Sequence, residues 1–371
     1  MNARASRPQL WPEIRLMLLA AMVIFLYTVG IGVLNGTDIV DFDQRRILGH
    51  VHGGTLGWLT LAVFSASLWL FRELKPVSDR ERTLVCVLAW AAIVVSTVYI
   101  FVFSVTYNEW RPAFGVLAML VYLAFIAWIR MRSDLDQLTV PHLGFLTALA
   151  TSIVGGILGV LWGMLVATGN SWLPTDGVDA YPATMVVGFL LPVVMAMSEW
   201  VLRYPDPPKA TRLGIAQMAF PFAGGIVLML ALLFGVDPLA PAAVLLEVVG
   251  VVIFLRRLWP DFKTVNWMEA SSGRYAAAAA LSATWSIGLA QYFIIRHDGD
   301  FDLVPFHQIL ALDQLTFLLV NLGIIGFVVA LLGDITVMKQ IFAPTMGAGL
   351  LVGLALFAWR LLLPDSEVAS T

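Results

Sequence analysis

Arg45-Arg46-Ile47-Leu48-Gly49-His50-Val51-His52-Gly53-Gly54-Thr55-Leu56-Gly57-Trp58 is the stretch that decides how this chain is read. It opens an apolar run over 46–71, longer than the ~20 residues a helix needs to cross a bilayer. Its head carries two of the five histidines in 371 residues. Neutral imidazole is a good ligand for haem iron and for transition metals. A third histidine, His307, opens another apolar run far along the chain. Two helices could therefore present imidazoles to one another at one depth in a membrane.

The composition around this stretch agrees with a membrane setting. Hydrophobic residues make up 60% and charged residues 13%, with mean hydropathy +0.86. A soluble domain keeps about a quarter of its residues charged, so a water-soluble protein is excluded. No basic tract or stripe suggests nucleic-acid binding. Cys86, the single cysteine, lies in an apolar run and reads as packing material.

Apolar runs predict an all-α integral membrane protein with eleven spans. These cover roughly 12–35, 46–71, 83–105, 112–131, 142–168, 182–202, 212–235, 237–256, 274–295, 307–333 and 341–363. Helices are required because open strands would strand unpaired backbone groups in lipid. Arg4, Arg7 and Arg15 precede the first run with no clean small-residue cleavage site, so a retained first span is expected rather than a signal peptide. The N-terminal tail and the loops after even-numbered spans hold 17 of the 22 Lys and Arg residues. That bias puts the N-terminus inside and the C-terminus outside. The opposite loops are acidic, with Asp38, Asp41, Asp43, Asp176, Asp179, Asp298, Asp300 and Asp302.

Spans two, six and ten each follow an acidic outer loop, giving units about 130 residues long. The chain then reads as one polytopic membrane domain, 1–371, with pseudo-repeat units near 12–131, 142–256 and 274–363, or four spans, four and three. Leu56-Gly57-Trp58-Leu59 against Val187-Gly188-Phe189-Leu190 is the best match between units. Gly155, Gly159 and Gly163, and Gly349 and Gly353, read as close-packing faces.

His50 and His52 are two residues apart, about 200° round a regular helix, so they cannot both face one ligand. His52 is the deeper, and Gly53 and Gly54 after it would leave room for a flat group. His52 is therefore favoured as the ligand, with His50 in reserve. His142 reads as an interfacial residue at a helix start, and His297 as solvated. Glu247 and Asp313 lie deep in the eighth and tenth spans, where ionisable groups are costly and often functional. Glu199 and Asp334 sit close enough to the inner face to snorkel.

Spans in sets of four, with histidines at the outer ends of the second and tenth, resemble the catalytic subunit of the haem–copper oxidases and nitric-oxide reductases. The resemblance covers most of the chain but is faint outside two short segments. In that family the second and tenth spans each give an axial histidine to a low-spin haem. Pro305-Phe306-His307-Gln308-Ile309-Leu310-Ala311-Leu312 looks like the tenth-span segment with its earlier histidine replaced by Pro305. The resemblance implies His307 and His52 (or His50) as ligands of one b-type haem, with iron as the bound metal. The sixth and seventh spans hold none of the copper-ligating histidines, so an oxidase-type copper centre is not expected. Short relatives of the family, including membrane proteins associated with nitric-oxide response, are the better comparison.

These readings give a cytochrome c oxidase subunit I-like membrane protein, not itself an oxygen reductase, for electron transport or redox sensing. Arg45, Arg46 and Arg296 would lie close to the haem propionates. The expected setting is a bacterial inner (cytoplasmic) membrane, with an outer-side electron carrier, quinol or partner subunit. Two alternatives stay open: a non-redox transporter or assembly factor centred on Glu247 and Asp313, and a copper or zinc site of His50, His52 and His307.

Overall fold

The computed structural model describes residues 9–36, 39–72, 74, 76–105, 110–134, 137–169, 173–174, 177, 179–266, 273, 276–277, 280, 323 and 336–362. Among these, eight helices are long and apolar enough to cross a membrane. They are α1 (Trp11–Gly36), α2 (Gln44–Arg72), α3 (Asp79–Val105), α4 (Trp110–Arg132), α5 (Val140–Thr168), α6 (Ala180–Arg203), α7 (Arg212–Phe234) and α8 (Leu239–Thr264). A further helix, α9 (Thr336–Leu362), packs on α1, with Gly347 against Val33. Most of the expected ninth and tenth spans, with His297, His307, Arg296 and Asp313, and Asp334 after them, lie outside the described residues.

Helix ends follow local chemistry. Asp43 caps α2 by accepting a hydrogen bond from Arg46 N at 3.0 Å, and Thr211 caps α7 by accepting from Gly214 N at 3.2 Å. Gly169 and Gly235 end α5 and α7 in the left-handed region, at φ 74° and 62°, where a Cβ would be strained. The eighth span reaches Thr264 rather than stopping near 256. Within this added stretch the Arg257 side chain turns inward to the Glu199 carboxylate.

Neighbours in sequence pack as neighbours in space. The α1–α2, α2–α3 and α3–α4 contacts recur as α5–α6, α6–α7 and α7–α8, while α4–α5 joins the two sets. Phe64, Phe71, Phe125, Trp128 and Phe145 fill the fully buried centre, where α2, α4 and α5 meet. Phe64 and Phe125 stack with centroids 4.0 Å apart. Large apolar side chains such as Val23, Val87, Val94, Phe101, Leu120 and Val252 instead face outward. A lipid-facing belt explains that distribution, whereas a soluble protein would expose an apolar surface this large only at a binding site.

Two spans widen to π-helix, α2 over Gly53–Leu59 and α6 over Met185–Leu190. These segments hold the two sequences aligned above, with Gly188 lying 131 residues after Gly57. Each glycine is a point of close approach. A Cβ on Gly57 would stand 2.5 Å from Ile24 of α1 and 2.8 Å from Ile100 of α3. One on Gly188 would stand 2.6 Å from Thr151 of α5, and Gly188 Cα lies 2.9 Å from a Cβ built on Gly225 of α7. A wide turn leaves backbone carbonyls needing partners, and Thr60 Oγ1 supplies one by donating to Thr55 O at 2.9 Å.

Candidate functional site

The head of α2 carries the candidate site, and the π-helical turn begins one residue after His52. His50 and His52 diverge, as the helix geometry requires. His50 faces α1: its Nδ1–H donates to Thr28 O at 2.8 Å, and its Cε1 lies 3.1 Å from a Cβ built on Gly32. His52 faces α3: its ring stacks on Phe103 at 3.9 Å and meets the edge of Tyr99 at 5.6 Å. Its Nδ1–H donates to Leu48 O, one turn back, at 2.7 Å.

A carbonyl can only accept, so both imidazoles carry the proton on Nδ1. Nε2 is then the nitrogen with a lone pair, in each case on a ring fixed by a backbone hydrogen bond. That is the tautomer and the anchoring found in metal-ligating histidines. His142 shows the opposite arrangement. Its Nδ1 accepts from Thr139 N at 3.3 Å, and its Nε2–H donates to Leu70 O at 3.3 Å. Both nitrogens are used and the residue is buried. It caps α5 and fastens it to α2, rather than sitting at an interface as its sequence position suggested.

Gly53 and Gly54 do not make a ligand slot. A Cβ on Gly53 would stand 2.7 Å from Thr28 Oγ1, and one on Gly54 3.5 Å from Thr28 Cγ2. The glycines let α1 and α2 approach, and α1 fills the space assigned to a flat group. Any ligand of His52 must therefore approach along Nε2 rather than against a bare glycine face. Phe103 on the face of the ring leaves that direction unaltered and holds the ring's orientation.

Arg111, near the start of α4, is a site residue that sequence reasoning passed over. Its guanidinium lies 4.6 Å over the Phe103 ring, opposite in chemistry to the imidazole that stacks on the same phenyl group. One Nη donates to Phe103 O at 3.3 Å, while the buried Nε has no hydrogen-bond partner among the described residues. Arg45 lies within electrostatic reach of it. Asp43 both caps α2 and pairs with Arg45 at 3.0 Å. The backbone hydrogen bond from Arg46 N holds the Asp43 carboxyl below its ordinary pKa of 3.8. In the sequence this residue shows only as an arginine between Trp110 and Pro112 at a span head.

The other ionisable groups have structural settings. Glu247 is buried, with its Cγ 3.0 Å from a Cβ built on Gly224 of α7. Glu199 does not snorkel. It is fully buried, accepting from Arg203 at 2.7 Å, from Arg257 at 2.6 and 2.7 Å and from Gln217 at 3.3 Å. Arg203 also donates to Asp261 at 2.8 Å. At the same end of the bundle Arg132 donates to Phe71 O, Arg72 O, Pro76 O and Glu81, locking the α2–α3 turn to the end of α4.

Among the described residues no three His, Cys, Asp or Glu side chains converge as a metal group. His50 and His52 point at different helices, and His307, the third histidine of the copper or zinc alternative, lies outside the described residues. No family model, no curated protein and no solved structure matches the chain.

Proposed function

We propose that this chain is a multi-pass membrane haem protein that carries one low-spin b-type haem for electron transfer or redox sensing. His52 of α2 and His307 of the tenth span would hold the iron, with His50 in reserve. The observation that carries the reading is the His52 ring: its Nδ1–H is tied to Leu48 O, its face is held by Phe103, and its lone pair is on Nε2. The donor set fits an axial role, because second-contact hydrogen bonding at Nδ1 raises the basicity of Nε2. Bis-histidine iron is six-coordinate and suits electron exchange rather than binding of small ligands.

Arg111 extends the electrostatic part of the reading. A buried guanidinium whose Nε has no partner among the described residues would be stabilised by an anion, and haem supplies two carboxylates. Arg111 thus joins Arg45, Arg46 and Arg296 as a propionate partner. In this reading there are eleven spans in sets of four, four and three, with the N-terminus inside a bacterial cytoplasmic membrane. The matching contacts of α1–α4 and α5–α8 and their paired π-helical segments support that arrangement. An outer-side carrier, quinol or partner subunit would exchange the electron.

Titration of the purified protein with haemin tests the assignment. One equivalent should bind to the wild type and to His142→Ala, with loss of at least tenfold in affinity in His52→Ala. Equal binding by His52→Ala and the wild type would remove His52 from the site.

A further inference from the structure

A partly open space of about 30 Å³ lies at the junction of the two four-helix sets. It is lined by Leu56 of α2, Tyr99 of α3, Tyr122 of α4 and Tyr181 of α6, with Gly115 and Gly159 opening its walls. Three tyrosines around one small space is unusual in an apolar bundle, where a lone buried hydroxyl is costly. Tyr122 is buried and its hydroxyl has no hydrogen-bond partner among the described residues. Thr60 and Ser96 stand near that hydroxyl, and Thr60 Oγ1, while donating to Thr55 O, keeps lone pairs for a further donor. The other two phenols converge from opposite sets. Tyr99 Oη lies 3.5 Å from a Cβ built on Gly115, and Tyr181 Cζ 3.5 Å from one built on Gly159.

A space this size holds one or two waters, and a buried water needs two to four polar partners. We propose that this cavity is a binding site for ordered water, held by the hydroxyls of Tyr99, Tyr122 and Tyr181. The water satisfies Tyr122 and ties α3 and α4 of the first set to α6 of the second. Tyr99 also touches His52 edge-on at 5.6 Å, so the water stands one aromatic ring from the candidate ligand. The site stands on the cavity and its hydroxyls and does not depend on haem binding.

Wet and dry cavities predict opposite signs. If water is bound, Tyr122→Phe removes one of its partners and lowers the melting temperature of the detergent-solubilised protein by about 2 °C or more. If the cavity is dry, the same change deletes an unpaired hydroxyl and the melting temperature rises. Gly156→Ala is the second variant. Its Cβ would meet Met119 Sδ at an ordinary 3.4 Å, so it narrows the cavity without a clash. Loss of bound water should offset the roughly 0.5–1 kcal/mol that alanine gains over glycine within a helix, whereas filling of a dry void adds to that gain and raises the melting temperature clearly. A melting temperature unchanged or raised in Tyr122→Phe, one clearly raised in Gly156→Ala, or a high-resolution map with no density within hydrogen-bonding distance of Tyr122 Oη, overturns the proposal. A lowered value in Tyr122→Phe, no clear rise in Gly156→Ala and density at that position support it.

Discussion

Glu199→Gln is the perturbation with the largest expected structural effect. The Glu199 carboxylate is fully buried and takes one hydrogen bond from Arg203, two from Arg257 and one from Gln217, at 2.6 to 3.3 Å. Arg257 is itself mostly buried and depends on this carboxylate for its charge partner, whereas Arg203 keeps Asp261. An amide of the same shape fills the space but leaves the Arg257 charge uncompensated. Removing one partner of a buried pair costs about 3–5 kcal/mol, and the expected loss lies in that range because one of the two arginines is orphaned. Unfolding free energy from an SDS titration in mixed micelles reads the effect directly. The exposed Asp43–Arg45 pair is the control, with an expected loss below ~1 kcal/mol on Arg45→Ala. Adding Arg257→Gln to Glu199→Gln should recover part of the loss, since no charge is then left alone. A Glu199→Gln protein within 1 kcal/mol of wild type would refute the argument that these helix ends are held by a desolvated ionic network.

Further outcomes are expected elsewhere. Arg132→Lys should lose about 2–3 kcal/mol by the same titration, because an ammonium cannot reach the carbonyls of Phe71, Arg72 and Pro76 and Glu81 together. Gly225→Ala should lose about 1–3 kcal/mol, because its Cβ meets Gly188 backbone at 2.9 Å and backbone cannot rotate away. Acidification should release the α2 cap. The Asp43 carboxyl is held below 3.8 in the folded state by the Arg46 amide, so its stabilising effect is present above that pH and lost as pH falls through the depressed value. A carboxyl chemical-shift titration of Asp43 should show its midpoint below 3.8, and a midpoint at or above it would remove the cap from the argument.

The spans were legible because lipid imposes a length and a composition that few other settings do, and α1 to α8 begin and end within a few residues of their apolar runs except where α8 runs on to Thr264. What faced what was less legible. Gly53 and Gly54 beside His52 suggested room for a flat group, yet a glycine in a membrane helix serves equally to admit a neighbouring helix, and α1 takes the space. The partnership of Glu81 with Arg132 spans 51 residues, and that of Glu199 with Arg257 spans 58; no local pattern encodes either. His142 looked interfacial because it stands at a span head, but Thr139 and Leu70 consume both its nitrogens. The divergence of His50 and His52 was the part of the site that followed from helix geometry alone. Arg111 and the three tyrosines went unremarked, because single residues in separate spans reveal their convergence only after folding.

The central claim is that His52 Nε2 serves as an axial ligand. The most direct measurement is a reduced-minus-oxidised optical spectrum of protein purified from haem-sufficient cells, wild type beside His52→Ala and His142→Ala. Sharp α and β bands in the wild type and His142→Ala, absent from His52→Ala, are the predicted result. A wild-type spectrum without those bands, or bands that persist undiminished in His52→Ala, would contradict it.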